Sequence, residues 1–168
     1  MIAFEDLTVG RLFDLGSVRV DRDEMLAFNR RFDPQPFHLD EEAARDSLLG
    51  GLCASGWFTA SLWMRCYVDT VLASSTSLGS PGGDEIAWPA PVFPGDELAA
   101  ALEIAGARRS ASRPELGLIT LVGTMTRTDV DGAADANGTA MNGTTEPRTV
   151  FRSRFTGMFG LREPAAAG

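Results

Sequence analysis

His38 is the only histidine of the chain, so it is the only imidazole that can transfer a proton near neutral pH. Asp33 precedes it by five residues, and Pro34 and Pro36 stiffen the segment between them. A stiff loop can point a carboxylate and an imidazole at one spot, which is what activation of a water molecule requires. Each residue also has a plainer alternative: His38 as a surface or capping histidine, and Asp33 as a turn residue that ends a helix.

Ser55 and Gly56 begin a long apolar stretch and form a second candidate functional feature, the start of a helix. Free backbone amides at the start of a helix, with the positive end of the helix dipole, stabilise negative charge that develops on an oxygen atom. Gly56 allows close approach because it has no side chain. The plainer alternative is an ordinary helix start that Ser55 caps.

The composition limits the partners that we expect. The 168 residues suit one domain, and the 23 acidic residues exceed the 15 basic residues, all arginine, to give a net charge of -8. Such a chain repels phosphate at long range, so we expect neither nucleic acid nor an anionic membrane as a partner. No run approaches the roughly 18 apolar residues of a membrane span. The first residues show no secretory leader pattern, and we expect none.

The cysteine and histidine counts limit the possible covalent and metal sites. If Cys53 and Cys66 lie on or near one helix, a rise of about 1.5 Å per residue separates them by roughly 20 Å. A disulfide needs Cα atoms within about 7 Å. We therefore expect free thiols, a reducing cytoplasmic location and no His/Cys zinc site.

Apolar periodicity predicts where the helices lie. A helix capped by Asp21 or Asp23 is predicted to fade before Asp33, and a short helix is predicted to follow Asp40. The two prolines block a helix between them, so residues 33–38 are predicted as a stiff, extended or turning loop. Residues 55–72 are apolar around most of a helix circumference, so this helix is predicted to be buried on most sides by a curved sheet.

The remaining segments predict an antiparallel sheet. Strands are predicted over residues 12–20, 85–92, 98–107, 116–128 and 148–158, with a Ser/Gly/Pro-rich loop over 73–83, a long flexible loop over 131–147 and a frayed tail over 163–168. This order predicts a single α+β domain in which the sheet wraps around the long helix.

Three motifs then carry a resemblance to a known family. Residues 32–40, FDPQPFHLD, resemble the Asp-x-Asn-Pro-x-His-x-Asp signature of the MaoC-like dehydratases, which include the (R)-specific enoyl-CoA hydratases. Residues 51–57, GLCASGW, resemble the family segment that opens the central helix, and residues 91–98, PVFPGDEL, resemble its Pro-Val-x-x-Gly-Asp strand–turn–strand. The resemblance implies a hot-dog fold, an antiparallel sheet around a long helix, that is usually dimeric.

The resemblance also implies roles for particular residues. Asp33 and His38 match the catalytic pair, and Gly56 matches the glycine whose amide polarises a thioester carbonyl. Gln35 stands where the family often has asparagine. The implied activity is reversible hydration of a trans-2-enoyl-CoA to a 3-hydroxyacyl-CoA, with coenzyme A as part of the substrate and no separate cofactor.

Two further expectations concern the substrate. Arg108, Arg109 and Arg113 form a basic stretch without acidic residues that we expect to meet the phosphates of coenzyme A, the alternative being a solvated turn. Four large residues of the long helix are expected in the core rather than in an acyl pocket, although the helix start can contribute to both: Trp57, Phe58, Trp63 and Met64.

Two other functions remain open from the sequence. A thioesterase of the same fold would hydrolyse the thioester, and a non-catalytic subunit would bind an acyl thioester without turnover. The spacing of Asp33 and His38 favours the hydratase, and the presence of both residues disfavours the binding subunit. An open sheet commonly continues into a second copy, so we expect a homodimer or a dimer-based higher oligomer.

Overall fold

A computed structural model describes residues 1–127 and 147–162. They form one antiparallel five-stranded sheet in the order β1-β3-β4-β5-β2, with a long helix against one face. The elements in chain order are β1 (Leu12–Arg19), α1 (Arg22–Phe32), α2 (Glu41–Arg45), α3 (Gly56–Thr70), β2 (Ser77–Ala87), β3 (Glu97–Arg109), β4 (Leu116–Arg127) and β5 (Arg148–Gly160). The predicted α+β fold, a sheet around a long central helix, is confirmed.

The helix boundaries follow local signals that the sequence carries. The Asp21 carboxylate accepts a hydrogen bond from the Glu24 amide at the start of α1, and the Asp40 carboxylate accepts one from the Ala43 amide at the start of α2. Between these helices the chain turns once in a short 3-10 helix, Pro36–His38. The sequence predicted no helix here, but a proline fits the first position of such a turn, where no amide hydrogen is required.

Strand β2 is where the sequence prediction was wrong. A loop was predicted over 73–83 and a strand over 85–92, whereas β2 occupies Ser77–Ala87. Its pairing with β5 shifts register between Gly79 and Gly82, and this irregularity accommodates Pro81 at the sheet edge. After Ala87 the chain leaves the sheet, because Pro89 and Pro91 cannot donate ladder hydrogen bonds.

Helix α3 packs across the middle of the sheet. The Trp63 indole nitrogen donates to the Ala101 carbonyl of β3 at 3.1 Å. The Trp63 ring also lies over Gly123 of β4, where an added Cβ would come within 2.3 Å of it. A glycine is therefore required beneath the indole, and it lets the helix approach the sheet closely.

One side of α3 remains uncovered in the single chain, contrary to the prediction of burial on most sides. Phe58 and Trp63 are buried as predicted, but Trp57 is 58% exposed and Met64 is 43% exposed. The sheet has only one concave face, so it covers one side of the helix. No helix in the described residues is long and apolar enough to cross a membrane. The predicted loop over 131–147, except Pro147, and the predicted tail over 163–168 lie outside the described residues.

Candidate active site

His38 is held in a defined orientation behind the start of α3. Its side chain is 8% exposed, and Nδ1 lies 3.0 Å from the Cys53 carbonyl oxygen. A carbonyl only accepts, so the proton of the neutral imidazole belongs on Nδ1 and Nε2 keeps a free lone pair. The Cys53 sulfur lies 3.7 Å from the same nitrogen, but burial raises the pKa of its thiol to about 11, so the thiol stays protonated.

Asp33 ends α1 and receives two side-chain hydrogen bonds. Ser55 Oγ donates to Asp33 Oδ2 at 2.7 Å, and Gln35 Nε2 donates to Asp33 Oδ1 at 2.7 Å. Burial acts to raise the pKa of Asp33, but these two hydrogen bonds and the neighbouring His38 together lower it below the usual value. Asp33 is therefore a carboxylate near neutral pH. Gln35, which departs from the family pattern, contacts the carboxylate directly.

The two functional groups face each other. His38 Nε2 lies 3.5 Å from Asp33 Oδ2. This separation exceeds an ordinary N–H···O hydrogen bond, and both atoms are acceptors in the states described above. One water molecule can donate one hydrogen to each of them. The pair is thus arranged to hold and deprotonate a water.

Asn29 joins the three segments that form this site. It is fully buried, and its amide donates to the His38 carbonyl at 3.0 Å and to the Cys53 carbonyl at 3.4 Å. Its carbonyl oxygen accepts from the Ser55 amide at 3.2 Å. Asn29 lies within the helix predicted before Asp33, but its sequence position alone indicated no role. An asparagine on the apolar face of a helix is the signal that could have identified it, because a buried amide requires partners.

Ser55 has a wider role than the helix cap that the sequence indicated. Its hydroxyl accepts from the Trp57 amide at 3.3 Å, which caps α3, and also donates to Asp33. The capping residue therefore fixes the Asp33 carboxylate to the start of α3. The Ser55 hydroxyl thus connects the two features that the sequence indicated separately, the proline-stiffened loop and the start of the long helix.

Gly56 is the first residue of α3, and among the described residues no hydrogen bond occupies its amide. Its Cα lies under the Trp88 indole, where an added Cβ would come within 2.7 Å of the ring. Trp88 also makes an edge contact with Trp57, at 5.2 Å between ring centroids. A glycine is therefore required at the helix tip for packing, and its amide is available there.

An apolar cavity of about 390 Å³ lies beside α3, between this helix, β5 and β2. Its helix wall begins at Ala60, one turn beyond Gly56, and continues along the same face through Trp63, Met64 and Tyr67. Trp63, which is buried in the core as predicted, and Met64, which was expected in the core but is 43% exposed, both line this cavity. The β2 wall consists of glycine and serine residues, which leave the space open.

The arginine stretch lies away from this site in the single chain. Arg108 and Arg109 end β3 and are exposed, as is Arg113 in the turn that follows. Arg109 pairs with Gly117 of β4, and Gly117 packs on Phe4 near the N-terminus. The neighbouring Ile2 amide donates to the Ser74 carbonyl, just beyond the end of α3, so the arginines lie toward that end of the helix. The carboxylate–imidazole pair lies at the opposite end of α3. Contact of these arginines with coenzyme A phosphates stays a prediction.

Comparison with known proteins gives the same family at the level of sequence and structure. Residues 6–123 match the MaoC like domain. The crystal structure of the MaoC-like dehydratase from Rhodospirillum rubrum is 36% identical, with a TM-score of 0.79, and the match covers 97% of this chain and 99% of that one. The uncharacterized protein YdeM of Bacillus subtilis (strain 168) is 28% identical over 118 residues, 70% of this chain and 82% of that protein.

A more distant structure shares the fold. R-hydratase PhaJ1 from Pseudomonas aeruginosa, in its unliganded form, is 16% identical with a TM-score of 0.65. The match covers 99% of this chain and 97% of that chain. The architecture thus extends over nearly the full length of both proteins.

Proposed function

The chain belongs to the MaoC-like domain family, and on that premise we propose that it catalyses reversible hydration of a trans-2-enoyl-CoA to a 3-hydroxyacyl-CoA. The observation that carries this proposal is the approach of His38 Nε2 to Asp33 Oδ2, 3.5 Å apart, beside the start of α3. A fixed pair of acceptors suits the deprotonation of water, which is the first requirement of hydration.

The chemistry needs three events at one place. The water oxygen bonds to C3 of the enoyl group while one water hydrogen passes to His38 Nε2. The electron pair of the double bond moves toward the thioester oxygen, and the Gly56 amide stabilises that charge. The imidazolium, held beside the Asp33 carboxylate, then returns the proton to C2. Water and enoyl thioester are consumed in equal amounts, and Asp33 and His38 return to their starting states.

The surroundings support these roles. The hydrogen bond from Nδ1 to the Cys53 carbonyl leaves Nε2 unprotonated, so it can accept the proton. The lowered pKa of Asp33 keeps a negative charge beside the imidazolium that forms. The positive end of the α3 dipole lies where the thioester oxygen gains charge. Loss of one such amide donor typically costs about 3–4 kcal/mol of barrier stabilisation.

The apolar cavity is the place that we propose for the acyl chain. Gly56 and Ala60 lie one helical turn apart, so a chain whose carbonyl meets the Gly56 amide enters the cavity at Ala60. The wall of aromatic and small residues buries methylene groups, at about 0.8 kcal/mol for each.

An absorbance assay with enoyl-CoA thioesters of different length and branching tests the activity. The expected result is loss of the enoyl absorbance without release of free thiol. Release of free coenzyme A would indicate a thioesterase instead, and binding of the thioesters without either change would indicate a binding subunit. The substrate that reacts fastest would also give the chain length that the cavity prefers.

We also propose that the protein acts as a homodimer or a dimer-based oligomer. Strand β2 is an edge of the sheet, and Leu78 and Ile86 on it are exposed, as are Trp57 and Met64 on the uncovered side of α3. Apolar residues at an open sheet edge favour pairing with a second copy. The mass in solution by light scattering tests this: a monomer at micromolar concentration would contradict it.

A further inference from the structure

One residue in the wall of the apolar cavity beside α3 has a buried side-chain oxygen with no hydrogen-bond partner among the described residues. Ser153 on β5 lines the cavity and is 8% exposed. Its Oγ is the one side-chain nitrogen or oxygen, among the described residues, that is buried without a hydrogen bond. A buried unpaired hydroxyl is unfavourable, so an apolar residue of similar size would serve packing alone better.

The neighbours of Ser153 explain why the protein itself leaves the hydroxyl unpaired. Phe151 and Phe155 flank it on the same face of β5, and both rings contact Trp63, with centroids 5.8 and 5.7 Å away. Aromatic rings offer no ordinary acceptor or donor to the serine. Tyr67 also lines the cavity. Burial raises the pKa of Tyr67, so its hydroxyl stays neutral.

We propose that this cavity selects an acyl chain that carries a neutral oxygen substituent, such as a hydroxyl or keto group, and that Ser153 hydrogen-bonds it. The inference rests on the proposed function, because it assumes that the cavity holds the chain of an acyl thioester. No charged residue belongs to the described cavity wall. A carboxylate on the chain would lose its hydration without a counter-ion, so the substituent is neutral.

The fold gives the approximate position of the substituent. Ser153 pairs with Gly123 of β4, and Gly123 lies under the Trp63 ring. Trp63 follows Gly56 by seven residues on α3, so Ser153 lies at a level about 10 Å along the helix from the Gly56 amide. The oxygen substituent therefore belongs on the distal part of the chain, well beyond the C2 and C3 atoms that react.

Binding measurements on saturated thioesters test this without requiring turnover. The probes are octanoyl-CoA and a series of octanoyl-CoA analogues in which a single hydroxyl moves along the distal carbons, titrated calorimetrically. We expect one position to bind more tightly than octanoyl-CoA by roughly two- to tenfold, the range that one neutral hydrogen bond supplies. The same chain ending in a carboxylate is expected to bind more weakly than octanoyl-CoA.

Two serine variants complete the test. Ser153→Ala is expected to abolish the gain while octanoyl-CoA binds as well as before or better, and its Tm should not fall. Ser80→Ala is the matched control: Ser80 lines the same cavity, but its hydroxyl already accepts from the Gly82 amide at 3.1 Å. The gain should survive in that variant.

The possible outcomes separate this inference from the proposed function. If no hydroxylated chain binds more tightly, or if the gain persists in Ser153→Ala, the Ser153 inference is overturned. If the gain depends on Ser153 but no enoyl thioester is hydrated, the inference stands and the hydratase proposal fails. The two conclusions can thus fail independently.

Discussion

Polar groups at the start of α3 and polar groups in the cavity along α3 have opposite surroundings. At the start of the helix, Asp33, Ser55 and Asn29 are joined to one another or to the backbone by short hydrogen bonds. In the cavity wall, within the described residues, the buried Ser153 hydroxyl has no hydrogen-bond partner. The first region is complete before a ligand arrives, which suits chemistry that needs fixed geometry. In the proposal above, a ligand would complete the second region, which suits selection.

The largest expected effect comes from the first region. Asp33→Asn removes the carboxylate and His38→Ala removes the proton acceptor, so either should lower kcat for crotonyl-CoA hydration by about a hundred- to ten-thousand-fold. In the proposed binding mode the four-carbon chain of crotonyl-CoA would reach little of the cavity, so the loss should report on the start of α3. The absorbance assay measures it.

The matched control for the aspartate variant is Asp69→Asn. Asp69 lies exposed on α3 in an ion pair with Arg65, away from the site. It should keep full activity, and both site variants should remain folded, as their circular dichroism spectra would show. Wild-type kcat in either Asp33→Asn or His38→Ala would exclude this mechanism.

The second effect isolates the cavity. Ala60 is its first helix residue, so Ala60→Phe fills the entrance. We expect kcat/KM for an eight-carbon enoyl-CoA to fall about tenfold or more, while kcat for crotonyl-CoA changes little. Ala99→Phe, the same change at an exposed position on β3 that does not line the cavity, is the control and should leave both substrates unaffected. If Ala60→Phe lowers activity equally with crotonyl-CoA and with the eight-carbon enoyl-CoA, the cavity does not act separately from the start of α3.

The third effect concerns the link from Ser55 to the carboxylate. Ser55→Ala removes a hydrogen bond that lowers the pKa of Asp33, so the pKa should rise toward or above the ordinary 3.8. The acid limb of the kcat/KM profile should then move to higher pH, and kcat should fall about tenfold. Loss of the helix cap should lower the free energy of unfolding by about 1 kcal/mol.

A pH–rate profile distinguishes this effect from a purely structural loss. Ser61→Ala is the control, because its hydroxyl bonds the Phe58 carbonyl at 2.7 Å and does not touch Asp33. Its acid limb should stay in place. Because folding lowers the pKa of Asp33, its stabilising contribution is present above the unfolded value and is lost as the pH falls through the folded value. If the acid limb of Ser55→Ala stays in place, the Ser55 hydroxyl does not influence the pKa of Asp33.

The smallest effect is expected from the arginine stretch. Charge reversal at Arg108 and Arg109 should raise KM for coenzyme A substrates roughly two- to fivefold, the scale of exposed charge contacts. Charge reversal at Arg22 and Arg65, two exposed arginines elsewhere on the surface, gives the same change in net charge as a control. If KM rises equally in both variants, or in neither, the stretch has no specific contact with the phosphates.

Local signals account for what the sequence predicted well. Asp21 and Asp40 sit at helix starts and Ser55 caps α3, so each can be identified from its immediate neighbours. Strand β2 lacks such signals, because its glycines and serines have low strand propensity and its pairing with β5 supplies the order. The cavity depends on the same distant pairing, so no local pattern indicates it.

The site was predicted unevenly for a related reason. Asp33 and His38 lie close together in the chain and share a stiff loop, so their convergence follows from local geometry. The bond from Ser55 to Asp33 crosses 22 residues, and that from Asn29 to Ser55 crosses 26. Such contacts depend on how α1 and α3 meet, which no short motif specifies.

The carboxamide of Asn29 makes the assembly of this site all-or-none. This one buried side chain is hydrogen-bonded both to the His38 carbonyl and to the Ser55 amide at the start of α3. Neither segment can therefore move away without breaking a buried hydrogen bond. Partial opening would leave several backbone groups without partners in an apolar interior, which is costly. Heat should therefore abolish turnover and native packing at the same temperature, with no inactive but still folded stage between them.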